Sequence, residues 1–159
     1  MVDTTKLSRA MRRLNRDLQK ISKGLLEKGQ TMDKTTGKVL TLAGNDMRNY
    51  IITSMRNTPR SAAFYRKGVN RSILHKPSMP GGFPAIDTGE LVRSIMYDAG
   101  KFSLEIGSIG GGVYGKYLEE GTKNMAARPW LEPTADKFGD DILDKLREEY
   151  AKSIGSVFE

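Results

Sequence analysis

The apolar positions of this chain recur with a helical period over about the first 55 residues and lose any period over about the next 30. They then alternate as in a strand before the helical period returns. Leu7, Met11, Leu14, Leu18, Ile21 and Leu25 are spaced 4, 3, 4, 3 and 4 apart, the heptad stripe of a helix that packs along one narrow seam. The positions between them are nearly all polar, and six are basic: Arg9, Arg12, Arg13, Arg16, Lys20 and Lys23. Gly29 is expected to end this helix. So narrow a seam suits one partner helix, in the same chain or in a neighbouring copy. A second helix is predicted from about Thr31 to Met55. There Thr36, Val39, Leu40, Ala43, Met47, Tyr50, Ile51 and Ser54 make a face broad enough for a domain core. It should stop before Thr58-Pro59, because the proline ring crowds a helical residue in front of it. The expected division is a basic heptad helix at 1–29 and a domain at 30–159.

Residues 57–86 hold Pro59, Pro77, Pro80 and Pro84 and the Gly81-Gly82 pair. They read as a long irregular loop, a length that usually signals function or an extended arm. Order returns at Asp87-Thr88-Gly89-Glu90-Leu91, where Asp87 and Glu90 have capping-box spacing and predict a short helical turn through Ser94. Two strands follow, Ile95 to Asp98 and Lys101 to Gly107, joined at Ala99-Gly100; Phe102, Leu104 and Ile106 alternate with polar neighbours. Beyond the Gly110–Gly112 run, a short helix is expected from Val113 to Gly121. A final helix carries Ile142, Leu143, Leu146, Tyr150 and Ile154, with Pro133 early enough for its missing N–H to be harmless. The expected fold is α+β: long N-terminal helices, a small antiparallel β-sheet and a C-terminal helix.

Charge adds an asymmetry. Residues 1–76 carry 17 Lys or Arg against 5 Asp or Glu, whereas residues 77–159 carry 9 against 14. Such a split suits a polyanionic partner, or head-to-tail contact between copies. Arg60, Arg66, Lys67, Arg71 and Lys76 beside Phe64 and Tyr65 suit nucleic acid or, more commonly, a solvated arm. The absence of cysteine excludes disulfides and thiolate metal sites. The N-terminus lacks the apolar run of a signal peptide, and nothing approaches a membrane span of roughly 18 apolar residues. A protein that is soluble and intracellular when made, with no membrane partner, is the expectation.

No catalytic constellation emerges. His75 is the single histidine and lies in the proline-rich loop without an indicated orienting partner. Glu119 and Glu120 diverge by about 100° on a helix and do not share one site. The Gly110–Gly112 run has no Gly-Lys-Ser/Thr after it and is not a phosphate loop. Neither a cofactor nor a metal is expected, and the chain reads as a non-enzyme.

Two stretches carry a resemblance. The first is Tyr114-Gly-Lys-Tyr117-Leu-Glu119-Glu-Gly121-Thr122, a short spacer, then Ala127-Arg128-Pro129-Trp130-Leu131. The second is Pro84 followed by Thr88-Gly89-Glu90-Leu91-Val92-Arg93-Ser94-Ile95. Together they resemble the neck and tail-completion proteins of tailed bacteriophages, over roughly residues 31–150. Members typically carry Tyr-Ala-x-Tyr-x-Glu-x-Gly-Thr, then Ala-Arg-Pro-aromatic-Leu; Gly115 departs from the alanine. The resemblance implies a structural subunit of the virion neck, assembled in the host cytoplasm into a ring around the DNA exit channel. A hexamer is favoured over a dodecamer, with neighbouring connector, tail-terminator or tail-tube proteins as partners and non-specific DNA contact along the channel.

The residues themselves suggest roles. Tyr114 and Tyr117 are three apart and should bury their rings on one helix face. Gly121 should end that helix, Arg128 should reach Glu119, and Trp130 should anchor the last helix in the core. The heptad seam is a candidate subunit interface and the basic residues around it are candidates to face DNA. The alternative reading is a basic nucleic-acid-binding or regulatory protein that uses the N-terminal helix on phosphates.

Overall fold

The computed structural model describes the backbone of residues 4–62, 65–67, 73–109 and 112–155, and side chains within 27–62, 76–109 and 114–152. The elements are α1 (Thr4–Asn57), β1 (Tyr65–Lys67), β2 (Ile73–His75), α2 (Glu90–Ser94), β3 (Ile95–Ala99), β4 (Leu104–Ser108), α3 (Gly112–Glu120) and α4 (Glu132–Gly155). This is the α+β arrangement expected of the apolar pattern, with three corrections.

The first correction is that the two N-terminal helices are one. α1 runs through Gly29 for 54 residues, about 81 Å at the usual rise of 1.5 Å per residue. A glycine ends a helix when the chain turns left-handed there; inside a helix it costs only about 1 kcal/mol relative to alanine. Leu25-Leu26-Glu27-Lys28 precede Gly29 and Gln30 follows, all good helix formers, so propagation outweighs that cost. No helix ends at residue 29. The C-terminal half of α1 buries the broad face that its spacing predicts, including Thr36, Leu40, Ala43, Met47 and Ile51, with Met55 added.

Two layers pack on that half. α4 returns antiparallel along it: Tyr50 meets Phe138 with ring centroids 5.5 Å apart, and farther along the hydroxyls of Thr36 and Tyr150 share a 2.6 Å hydrogen bond. Ile142 and Leu146 are half-buried in the α4 stripe, whereas Leu143 stays 49% exposed. Glu149 hydrogen-bonds Lys152 at 2.7 Å near the end of α4 and holds its ammonium pKa above the ordinary lysine value. The β3–β4 hairpin also packs against α1. Arg48 Nε donates to the Ile95 carbonyl at 2.9 Å, and an added Cβ at Gly44 would overlap the Tyr97 ring. Glycine at position 44 is what lets β3 approach so closely.

The second correction concerns the hairpin turn. β3 and β4 pair from Ile95↔Ser108 to Ala99↔Leu104, so residues 100–103 form the turn, closed by Gly100 N–H on the Ser103 carbonyl at 2.8 Å. Phe102 sits in that turn at 68% exposure rather than in the strand's buried row. Its neighbour Lys101 pairs with Asp33 at 2.6 Å and lies 5.1 Å over the Phe102 ring.

The third correction concerns 57–86, which is not structureless. Tyr65–Lys67 pairs antiparallel with Ile73–His75. Below that pair, Ser61 N–H donates to the Pro77 carbonyl at 2.7 Å, and Arg60 reaches the Ile86 carbonyl at 2.6 Å. These long-range bonds, two between backbone groups and one from the Arg60 guanidinium, leave no signature in residue spacing. The core lies where α1, β3, α3 and the entry to α4 converge: Ile51, Met55, Ile95, Leu118 and Trp130.

Candidate assembly site at the α3–α4 junction

The first signature folds into the junction between α3 and α4. α3 ends at Gly121, whose φ of +76° is the left-handed conformation that closes a helix. An added Cβ there would sit 2.9 Å from both the Ala127 nitrogen and the Met125 carbonyl oxygen. Glycine is thus required twice, by conformation and by space. The chain then reverses through residues 122–125, where Thr122 and Met125 exchange backbone hydrogen bonds at 2.8 and 3.2 Å. Arg128 N–H donates to the Leu118 carbonyl at 2.6 Å, which sets the returning strand against α3.

Glu119 then does what no local residue does for α4. Its Oε2 accepts from the backbone N–H groups of Trp130 and Leu131 at 2.7 and 2.9 Å, and its Oε1 from Glu132 at 2.9 Å. The N–H groups entering a helix lack intrahelical acceptors, and a carboxylate there also meets the positive end of the helix dipole. Trp130, 1% exposed, donates its indole N–H to the Gly115 carbonyl at 3.2 Å, and Thr134 donates to the Trp130 carbonyl at 2.6 Å. The expected anchoring by Trp130 is observed.

Arg128 does not pair with Glu119. Its Nε and Nη2 donate to the Ser78 carbonyl at 3.1 Å each, and its Nη1 to the Ala126 carbonyl at 3.0 Å. The guanidinium thereby ties the segment at 78–81 to the turn, helped by Gly81 N–H on the Ala127 carbonyl at 2.9 Å. Because Glu119 has its oxygens on the α4 N–H groups, the two charged residues serve different neighbours.

The two tyrosines are also corrected. Tyr114 and Tyr117 are 55% and 48% exposed. The inward side of α3 belongs to Gly115 and Leu118, both buried, and a shift of one residue turns a side chain by about 100°. Pro129 is half-buried and Thr122 exposed in the turn. In the second signature Gly89, at φ +78°, is the N-cap of α2, so Asp87 and Glu90 do not hold the N-cap and third positions that a capping box needs. Thr88 Oγ1 accepts from Glu90 N–H at 3.4 Å, and Leu91 packs on the core. Ser94 donates to the Leu91 carbonyl and shares a 2.8 Å hydrogen bond with Ser108 on β4.

Beside the junction lies a groove of about 730 Å³, with Met55, Pro84, Ile86, Leu118 and Met125 in its walls and Ser78 and Arg128 contributing to them. Sequence reasoning did not single out Ser78, and no spacing pattern points to it. The seam residues Leu7, Met11, Leu14, Leu18, Ile21 and Leu25 and the basic Arg9, Arg12, Arg13, Arg16, Lys20 and Lys23 lie on α1, but their side chains fall outside the described residues. The side chains of Phe64, Tyr65, Arg66, Lys67, Arg71 and His75 fall outside them too. Among the described residues no group of three His, Cys, Asp or Glu side chains could hold a metal ion, and no helix is long and apolar enough to cross a membrane. No protein-family model matches the chain, and no curated protein or solved structure does so.

Proposed function

We propose that this chain is a non-enzymatic structural subunit of the neck of a tailed bacteriophage, a head–tail connector or tail-completion protein that forms a ring with copies of itself. The observation that carries the reading is the balance of apolar surface. Among the described residues eight hydrophobic side chains are buried, and as many large ones are exposed, among them Met96, Ile109, Tyr114 and Tyr117. Large apolar side chains exposed in that number are available for burial against other subunits. Charge supplies a second support. Asp136, Asp140, Asp144 and Glu148 follow one another four residues apart on the exposed side of α4, while the N-terminal half of α1 is basic in sequence. A cyclic ring joins unlike faces of successive copies, which complementary charge favours. The two signatures resemble those of phage neck proteins and supply the rest of the assignment, including the virion location.

The second reading, a nucleic-acid-binding protein, is favoured by the basic residues of α1. The experiment that separates them is absolute mass by light scattering with electron micrographs of the same fractions. Closed rings are expected, and their symmetry gives the copy number. A monomer that joins no heads to tails in an assembly mixture, yet binds duplex DNA with steep salt dependence, overturns the connector reading.

A further inference from the structure

We propose that the outward face of the β3–β4 hairpin is a docking surface for the basic stripe along the N-terminal half of α1 in a second copy of this chain. The inference deepens the self-assembly reading and rests on it for the choice of partner.

The hairpin turns one row of side chains inward and one outward. Ile95 is fully buried, Tyr97 lies against Gly44 of α1, and Leu104 and Ile106 are half-buried; Met96, Asp98 and Glu105 are exposed in the outward row. Three features of that row are unfavourable in an isolated subunit. Asp98 and Glu105 stand directly opposite each other in the ladder, and like charges so placed destabilise a strand pair. Among the described residues neither carboxylate is paired with a cation. On α4, by contrast, Asp144 is paired with Arg147 and Glu149 with Lys152. Gly107 stands opposite Met96, and an added Cβ there would have nothing within 4 Å. A glycine inside a strand gives up packing, and it often marks a place where another backbone approaches closely. Beside that notch Met96 is 50% exposed. One cationic segment seated on the row would neutralise the carboxylates, fill the notch and cover the methionine.

The chain carries such a segment. Arg9, Arg13, Arg16, Lys20 and Lys23 are spaced 4, 3, 4 and 3 apart, so they share one side of α1. That stripe starts two residues after the apolar seam that begins at Leu7, about 200° around the helix, so stripe and seam can serve different neighbours. Successive positions along such a stripe have Cβ atoms about 5–6 Å apart, close to the roughly 4.5–5.5 Å between residues opposed across strands. Two successive cations therefore match Asp98 and Glu105, and their methylene stems can lie over Met96. The partner is a second copy for a geometrical reason. β3 meets its own α1 at Gly44, which the continuous helix holds about 31 Å from Lys23 at the usual rise. The inward row faces that helix, so the stripe of the same copy cannot reach the outward row. Nucleic acid is repelled by the same two carboxylates.

The test is sedimentation equilibrium of the full chain with two charge-reversed variants. Asp98→Lys/Glu105→Lys inverts the hairpin face, and Arg13→Glu/Arg16→Glu/Lys20→Glu inverts the stripe. The wild type is expected to associate with rising concentration, and each variant alone should associate at least about tenfold more weakly. An equimolar mixture of the two variants should regain wild-type association. In it lysine meets glutamate at one junction, and the native pair meets the native stripe at the next. Misfolding of either variant could not produce recovery on mixing. Gly107→Val puts a strand-favouring side chain into open space, so it should weaken association without lowering the melting temperature. Full association of the hairpin variant or of Gly107→Val, a mixture no stronger than its parts, or a wild type that stays monomeric would each overturn the proposal. Closed rings that persist in micrographs of the hairpin variant would overturn this interface and leave the connector reading standing. A recovered mixture that forms open chains would support the interface and overturn the closed ring.

Discussion

The N-termini of α2 and α4 make an instructive pair. α2 begins at Glu90, which stands at capping-box spacing from Asp87, yet its N-cap is Gly89, and Thr88 Oγ1 is what accepts from the Glu90 N–H, at 3.4 Å. α4 has no such local pattern, yet its first N–H groups are held by both oxygens of Glu119, which lies 11 to 13 residues upstream on another helix. The difference follows from what each terminus must satisfy. α2 is a five-residue turn whose entry at φ +78° carries the chain past the geometry a capping box needs. α4 is 24 residues long and begins against the core, where Trp130 is 1% exposed, so its N–H groups need an acceptor from the protein itself. A local cap depends on one backbone turn, whereas a remote cap depends on a folded reversal, here the Gly121–Met125 turn, to bring acceptor and donors together.

That contrast can be attacked from its strongest point downward. Trp130→Ala removes the ring that seats the α4 terminus in the core and should cost about 3–5 kcal/mol in denaturant unfolding. An effect below about 1 kcal/mol would show that the terminus is not anchored there. Gly121→Ala should cost about 2 kcal/mol or more, since it combines the left-handed penalty of roughly 1–2 kcal/mol with overlap on the returning strand. A neutral outcome would mean that the reversal tolerates another path. Glu119→Gln keeps the shape but removes the charge and one acceptor oxygen, for an expected loss of about 1–2 kcal/mol. Its local signature is faster hydrogen exchange at the Trp130, Leu131 and Glu132 amides; unchanged exchange there would contradict the remote cap. At the other terminus, Glu90→Ala should move stability by less than about 0.5 kcal/mol. A larger loss would restore the capping box that is not seen at α2.

What was legible in the sequence follows the range of the interactions. The period of Leu40, Met47 and Ile51 marks the buried face of α1, and the alternation of Leu104 and Ile106 marks β4, because each pattern is a property of one element facing one core. Gly121 was legible as a helix end because few other residues adopt its conformation. Gly29 was misread by the same rule, since a glycine that can close a helix is not obliged to, and only the surrounding chain decides. Tyr114 and Tyr117 were placed on a shared face correctly but on the wrong side: spacing fixes which residues turn together, not which side meets the core.

The sequence by itself determined the α+β class, the stop of α1 at Thr58-Pro59, the anchoring by Trp130 and the split of charge between its halves. Tertiary structure alone decided that Glu119 caps α4, that Arg128 binds Ser78 and Ala126 instead of Glu119, and that the 57–86 segment closes through Ser61 and Arg60. Each of these joins groups far apart in sequence or chooses among several acceptors within reach of one flexible side chain. Spacing carries no record of that choice, because it is made by which buried polar groups would otherwise be left without a partner.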